Sequence, residues 1–293
     1  MRILLNILLF SSLCFGNCNI ILDSTKDIVG ADFIDSKLAL FDTKKLLIKN
    51  TSKFDDLFSY TSQANNIISA KLLGGGDLLV SFDDKSVKTI NLNSTQDILD
   101  PLKTKINQPF NQILLTKDKA VFLSKNHAIV YDFINRIYKS KTTNLNSKII
   151  DSKISENSVF IACFDRNLYE LNLGDFSINK IANLPNLITK VEILDNKPLA
   201  SMIDGKIWYK NQIYEISKNK ISAIKVGQNA LYFGDSKSNL IISDLNFHIK
   251  KQINLKADEI KELFIDSSNL LVVMWNRAIY NCNLKSIHTD TNF

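Results

Sequence analysis

Long apolar runs are scarce in this chain. After Phe15 no stretch approaches the roughly 20 apolar residues that a membrane-spanning helix needs, so membrane insertion is not expected. Histidine is scarce as well. His127, His248 and His288 stand far apart, without a second His or Cys at metal-ligand spacing, and no metal site is expected. The run Gly74-Gly75-Gly76 is followed by Asp77 rather than Lys-Ser/Thr, so it reads as a turn between strands and not as a phosphate loop. No Gly-x-Ser-x-Gly nucleophile elbow occurs. Pro101, Pro109, Pro185 and Pro198 are scattered, and no Pro-rich tract, Gly/Ser linker or charge block divides the chain. The net charge of +6 is spread along it, and no Arg cluster is interleaved with aromatics. Nucleic acid is therefore not expected as a partner, and Lys44-Lys45 and Lys250-Lys251 read as solvated faces.

The first sixteen residues are different. Met1-Arg2, the apolar run Ile3 to Phe10 and the small residues up to Gly16 read as a secretory leader cleaved after Gly16, which points to a periplasmic protein. Lipid attachment at Cys18 is the competing idea, but Phe15-Gly16-Asn17 lacks the usual aliphatic and small residues. Cleavage leaves 277 residues (293 minus 16), and 17–293 reads as a single domain. Its 45% hydrophobic content is that of a globular chain.

Within that domain one unit recurs: an apolar strand, a polar turn, a second strand. Its plainest copy is Val159 to Asp175, with Asp165-Arg166-Asn167 as the turn. The other first strands begin at Leu38, Leu78, Ala120, Pro198, Leu231 and Leu270, so successive intervals are 40, 42, 39, 39, 33 and 39 residues. That period is the blade length of a β-propeller. Asp204-Gly205 in the fifth copy predicts a tight hairpin with positive φ angles. A short strand precedes each pair, as in Ile149 to Ile154, and a more polar one follows, as in Phe176 to Ile181. Four strands per repeat with the middle two most apolar predict an all-β, seven-bladed propeller of four-stranded antiparallel blades.

Such a ring must close. Asn19 to Ser24 is strand-like and precedes the first blade, so it is expected to add to the seventh blade beside Tyr280 to Leu284, with Lys285 to Phe293 as a short extension. After cleavage Cys18, Cys163 and Cys282 remain, an odd number. Closure puts Cys18 and Cys282 on neighbouring strands, where a disulfide becomes feasible. The alternative is that Cys282 is a small core residue and Cys18 an unstructured terminus. Cys163 reads as a buried, inert thiol, with no nearby His to lower its pKa. Asp42, Asp83, Asp84, Asp165, Asp204 and Asp235 lie at turns, where Asp bonds its own backbone more readily than it gathers a cation. Trp208 and Trp275 read as packing residues, with an interface role as the alternative.

By repeat length and pattern the chain resembles degenerate WD40-like and quinoprotein-like seven-bladed propellers over nearly all of 17–293. The Gly-His and Trp-Asp marks of WD40 repeats are absent. So is the Ala-x-Asp, Thr-Gly and Trp pattern of quinoprotein blades, which argues against pyrroloquinoline quinone, and no cofactor is expected. An exported, Lys/Asn/Ile-rich propeller of this length is similar to the NapL family, accessory proteins of periplasmic nitrate reductase systems. That resemblance implies a non-catalytic protein with a redox-enzyme partner, acting in maturation or electron supply; it carries over no site residue. A monomer is expected. A hydrolase or lyase working from the central channel is the second reading. Converging carboxylates, Asn or His in that channel would favour the enzyme, and unpaired polar or apolar residues the scaffold.

Overall fold

Side chains alternate across a strand, so a strand covered on both faces must be apolar at consecutive positions. The second strand of each repeat meets that condition. In the computed structural model, the described residues are 18–23, 28–73, 77–92, 110–275 apart from 111, 117, 125–126, 136, 144 and 146, and 278–288. They form seven antiparallel sheets arranged as the blades of a ring. The inner strands, in blade order, are Gly30–Ile34, Ile67–Leu72, Gln112–Leu115, Ile149–Ile154, Ile188–Leu194, Ile221–Val226 and Ile260–Asp266. Six sheets have four strands. The second has three among the described residues, which omit 93–109, and the expected leader and the run 74–76 also lie outside them.

The core is distributed over the seams between blades. Leu38 and Leu40 of blade 1 pack with Val273 and Ile279 of blade 7, while the intervening Ala39 and Phe41 pack with Leu78, Val80 and Phe82 of blade 2. In blade 4, Val159, Ile161 and Cys163 face blade 3, and Phe160 and Ala162 face blade 5. Each of the seven apolar clusters fills one seam. Apolar burial stabilises by roughly 25 cal/mol per Å². Here that area is shared between neighbours, so a blade cut out of the ring would expose both faces.

Closure uses the start of the described chain. Cys18–Asp23 forms the fourth strand of blade 7, in the register Cys18↔Cys282 to Asp23↔Ala278. Cys18 and Cys282 are joined by a disulfide with Cα atoms 4.0 Å apart, so one covalent bond ties positions 264 residues apart and fastens the ring shut. Cys163 is buried in the seam between blades 3 and 4, and burial pushes its thiol up to about 12.

Several turns differ from the sequence reading. Only Gly205 of the Asp204-Gly205 pair has positive φ (82°), because the turn places its third residue left-handed, as it does Lys85, Arg166 and Ser238 in other blades. Two successive positive φ angles occur instead at Asp35-Ser36, Asp195-Asn196 and Lys210-Asn211. A Cβ on Gly205 would lie 2.1 Å from the Ser217 carbonyl oxygen, so the left-handed angle and the close approach both call for glycine there. Phe164 and Trp275 are not strand residues: the strands end at Cys163 and Met274, and both rings stand in the following turn. The tail begins with a short helix, Leu284–His288.

Two outcomes test the seam-packed, clasped ring. A Cβ at Gly234 would come within 2.4 Å of Ile260 in the next blade, so Gly234→Ala is expected to lower stability by about 1–3 kcal/mol in denaturant melts. Replacing Cys18 and Cys282 by Ser should cost roughly 2–5 kcal/mol, and the same loss should follow addition of a reductant to the unmodified protein.

Candidate functional site: the central channel

The seven inner strands enclose a channel of about 500 Å³. Five of the inner strands share an irregularity. In blades 2, 4, 5, 6 and 7 the inner strand carries a β-bulge after its first residue, between Ile67 and Ser69, Ile149 and Asp151, Ile188 and Lys190, Ile221 and Ala223, and Ile260 and Glu262. A bulge re-aims the residues around it and increases local twist. The residue after the bulge and the residue two places on share a face, roughly 7 Å apart along the strand. By register the first level holds Ser69, Asp151, Lys190, Ala223 and Glu262, with Gly30 and Gln112 in blades 1 and 3. The second holds Lys71, Lys153, Glu192, Lys225 and Phe264, joined in register by Asp32 and Leu114.

Most of these charges pair with one another. Lys71 meets Asp32 at 2.9 Å, Lys153 meets Glu192 at 2.8 Å, and Lys190 meets Glu262 at 2.6 Å. The last pair links blades 5 and 7 past blade 6, whose residue in the same register, Ala223, is buried in the seam with blade 7. Carboxylates also stitch adjacent blades. Asp32 accepts from the Leu72 N–H and Asp151 from the Val191 N–H, both at 2.8 Å. The bulge residues Thr189 and Ser222 donate their hydroxyls, each at 2.6 Å, to the carbonyl oxygens of Ile221 and Ile260 in the next blade.

Protonation follows from these contacts. Burial raises the Asp151 carboxyl, with Lys190 only partly opposing it. Burial also acts against the ionised Glu262 carboxylate and the Lys190 ammonium, but each is the other's main counter-charge, so Glu262 titrates lower and Lys190 higher than usual. Lys225 and Lys261 lack such compensation. Burial lowers Lys225, although Glu192 opposes it, and among the described residues its amine has no ion pair or hydrogen bond. Burial brings Lys261 down to about 8, and its ammonium lies 3.9 Å from the centre of the Trp275 ring.

The residues singled out in the sequence are not brought to this site. Four of the turn aspartates serve their own turns: Asp42 accepts from the N–H groups of Lys44 and Lys45, Asp84 from Ser86, Asp165 from Asn167 and Asp235 from Lys237 and Asn239, while Asp83 accepts from the Asn66 N–H and Asp204 from the Asn186 side chain. Among the described residues no group of three or more His, Cys, Asp or Glu converges on a point. His248 sits outside on Asp244, and the His288 side chain is not among the described ones. Trp208 packs against the seam between blades 4 and 5, whereas Trp275 is half exposed. The channel charges had a legible signal. Aligned on the repeat, the inner strands read Asp-Ser-Lys, Lys-Val-Glu, Ala-Ile-Lys and Glu-Leu-Phe at the same three places.

Folding lowers the Lys261 pKa from 10.5 to about 8, so between those values the unfolded chain holds more protons than the folded one. Its contribution to stability therefore rises with pH from about 8 to 10.5 and is flat below. Denaturation midpoints measured at pH 8 and at pH 10 should show this rise as the difference between the native protein and Lys261→Met, which lacks it.

No family model matches this chain, and no curated protein matches it. Among solved structures it is similar to the computationally designed Ika8 protein, with a TM-score of 0.68 and 12% identity over 89% of this chain and 97% of that one. At that identity the likeness shows the fold alone, a ring of antiparallel blades.

Proposed function

We propose that this protein is a non-catalytic, periplasmic propeller that binds a protein partner as an accessory factor. The candidate partner is a periplasmic redox enzyme, and the NapL resemblance makes nitrate reductase, through its maturation or electron supply, the first one to test. The observation that carries this reading is on one end of the ring. The first turn residue after the second strand donates its N–H to the residue preceding the inner strand in five blades: Asp83 to Asn66, Phe164 to Lys148, Ile203 to Leu187, Ser236 to Lys220 and Trp275 to Glu259. These five positions correspond, so they share one end of the ring. Three of them carry large apolar side chains that are 62%, 45% and 50% exposed, at Phe164, Ile203 and Trp275. Repeated exposure of aromatic and aliphatic side chains at one structural position suits a binding face. The channel supports the same reading, since most of its charged groups neutralise each other and tie blades together.

Pull-down of the exported protein followed by mass spectrometry is expected to recover a redox-enzyme subunit. Phe164→Asp with Trp275→Asp should reduce that recovery roughly tenfold. Phe164 is an exposed turn residue, so Phe164→Asp alone should leave stability within about 0.5 kcal/mol, whereas Trp275→Asp also removes the contact with Lys261. Recovery of no redox-enzyme subunit overturns the accessory reading. A hydrolase or lyase acting in the channel is favoured by one observation, the lowered amines of Lys225 and Lys261.

A further inference from the structure

The second level of the channel does not balance its charge internally. Around the ring it runs Asp32, Lys71, Leu114, Lys153, Glu192, Lys225 and Phe264, three ammonium groups against two carboxylates. Asp32 is taken by Lys71 and Glu192 by Lys153. The third amine, Lys225, is left between Glu192, already engaged, and Phe264, which offers only a hydrocarbon ring. Glu262 of the first level, in the next blade, is bound to Lys190. A partly buried ammonium needs a counter-charge or must give up its proton.

We propose that the central channel binds one small oxyanion, a carboxylate or a phosphate, at the Lys225 ammonium. Lys225 is the one ammonium of this level without a carboxylate partner, which fits one anion per ring. Lys225 supplies up to three N–H donors to the anion's oxygens. Phe264 and Leu114 supply apolar wall at the same level, which suits a carboxylate with a short hydrocarbon part better than a fully hydrated phosphate. The cavity of about 500 Å³ accommodates either.

The test follows the lysine side-chain NMR signals of the full exported protein while acetate or inorganic phosphate is added at constant ionic strength. Saturable movement of the Lys225 signals is expected, with a rise in its pKa as the bound anion favours the ammonium. Stronger binding of acetate would assign the site to carboxylates, and stronger binding of phosphate to phosphoryl groups. Lys225→Met should weaken binding at least about tenfold, while Lys225→Arg retains it. Lys139, on the exposed outer strand of blade 3, is the internal control and should move only linearly. If Lys225 moves no differently from Lys139 with both anions, or if saturable binding survives in Lys225→Met, the site does not exist. This experiment needs no partner protein, so its failure and failure of the accessory reading are separate results.

Discussion

Packing between neighbouring blades is the constraint on which the rest of the structure depends. Because Leu38 and Leu40 face one neighbour and Ala39 and Phe41 the other, no sheet has a core of its own. Stability then belongs to the ring as a whole, and a ring has a weak point where its two ends meet. Here the weak point is reinforced twice. Cys18–Asp23 fills the place of the missing strand of blade 7, and the Cys18–Cys282 disulfide makes that pairing covalent. Closure also removes the strand edge that would otherwise invite pairing with another chain.

Seam packing leaves the inner strands a second task. Their apolar residues turn into the seams, and the alternate positions, re-aimed by the repeated bulge, converge on the axis. Seven strands meeting there could crowd like charges together. Instead, lysines and carboxylates alternate closely enough for three ion pairs, and Asp32 and Asp151 also hold backbone N–H groups of the next blade. The channel is thus a structural polar core, and at its second level Lys225 is the one ammonium without a carboxylate partner. The ring's outer end faces differently, with Phe164, Ile203 and Trp275 turned to solvent. The cation–π contact of the channel residue Lys261 with Trp275 connects the two regions.

Much of the architecture was legible before any coordinates. Copies of strand, turn and strand at intervals of 33 to 42 residues imply radial repetition, and the strand-like Asn19 to Ser24 implies how it closes. The misreadings are local. Phe164 and Trp275 look like the last residues of apolar strands, and hydrophobicity cannot tell a strand end from the first position of a turn. Asp204-Gly205 looks like a two-residue hairpin, yet the chain takes a three-residue turn in which Gly205 alone is left-handed. The charged lining of the channel is hidden for a different reason. Asp151, Lys190 and Glu262 lie far apart in sequence, and each inner strand by itself reads only as a short strand of mixed polarity.

The sequence by itself determined the number of blades, the strand order within each, and which strands are buried on both faces, because these follow from alternation and from a repeat that every copy states locally. Tertiary structure alone decided which charges meet. Lys190 meets Glu262 two blades away, and Lys225 is left over where its neighbouring carboxylates are already engaged. Such pairings depend on distances around a closed ring, which exist only once the last strand has joined the first.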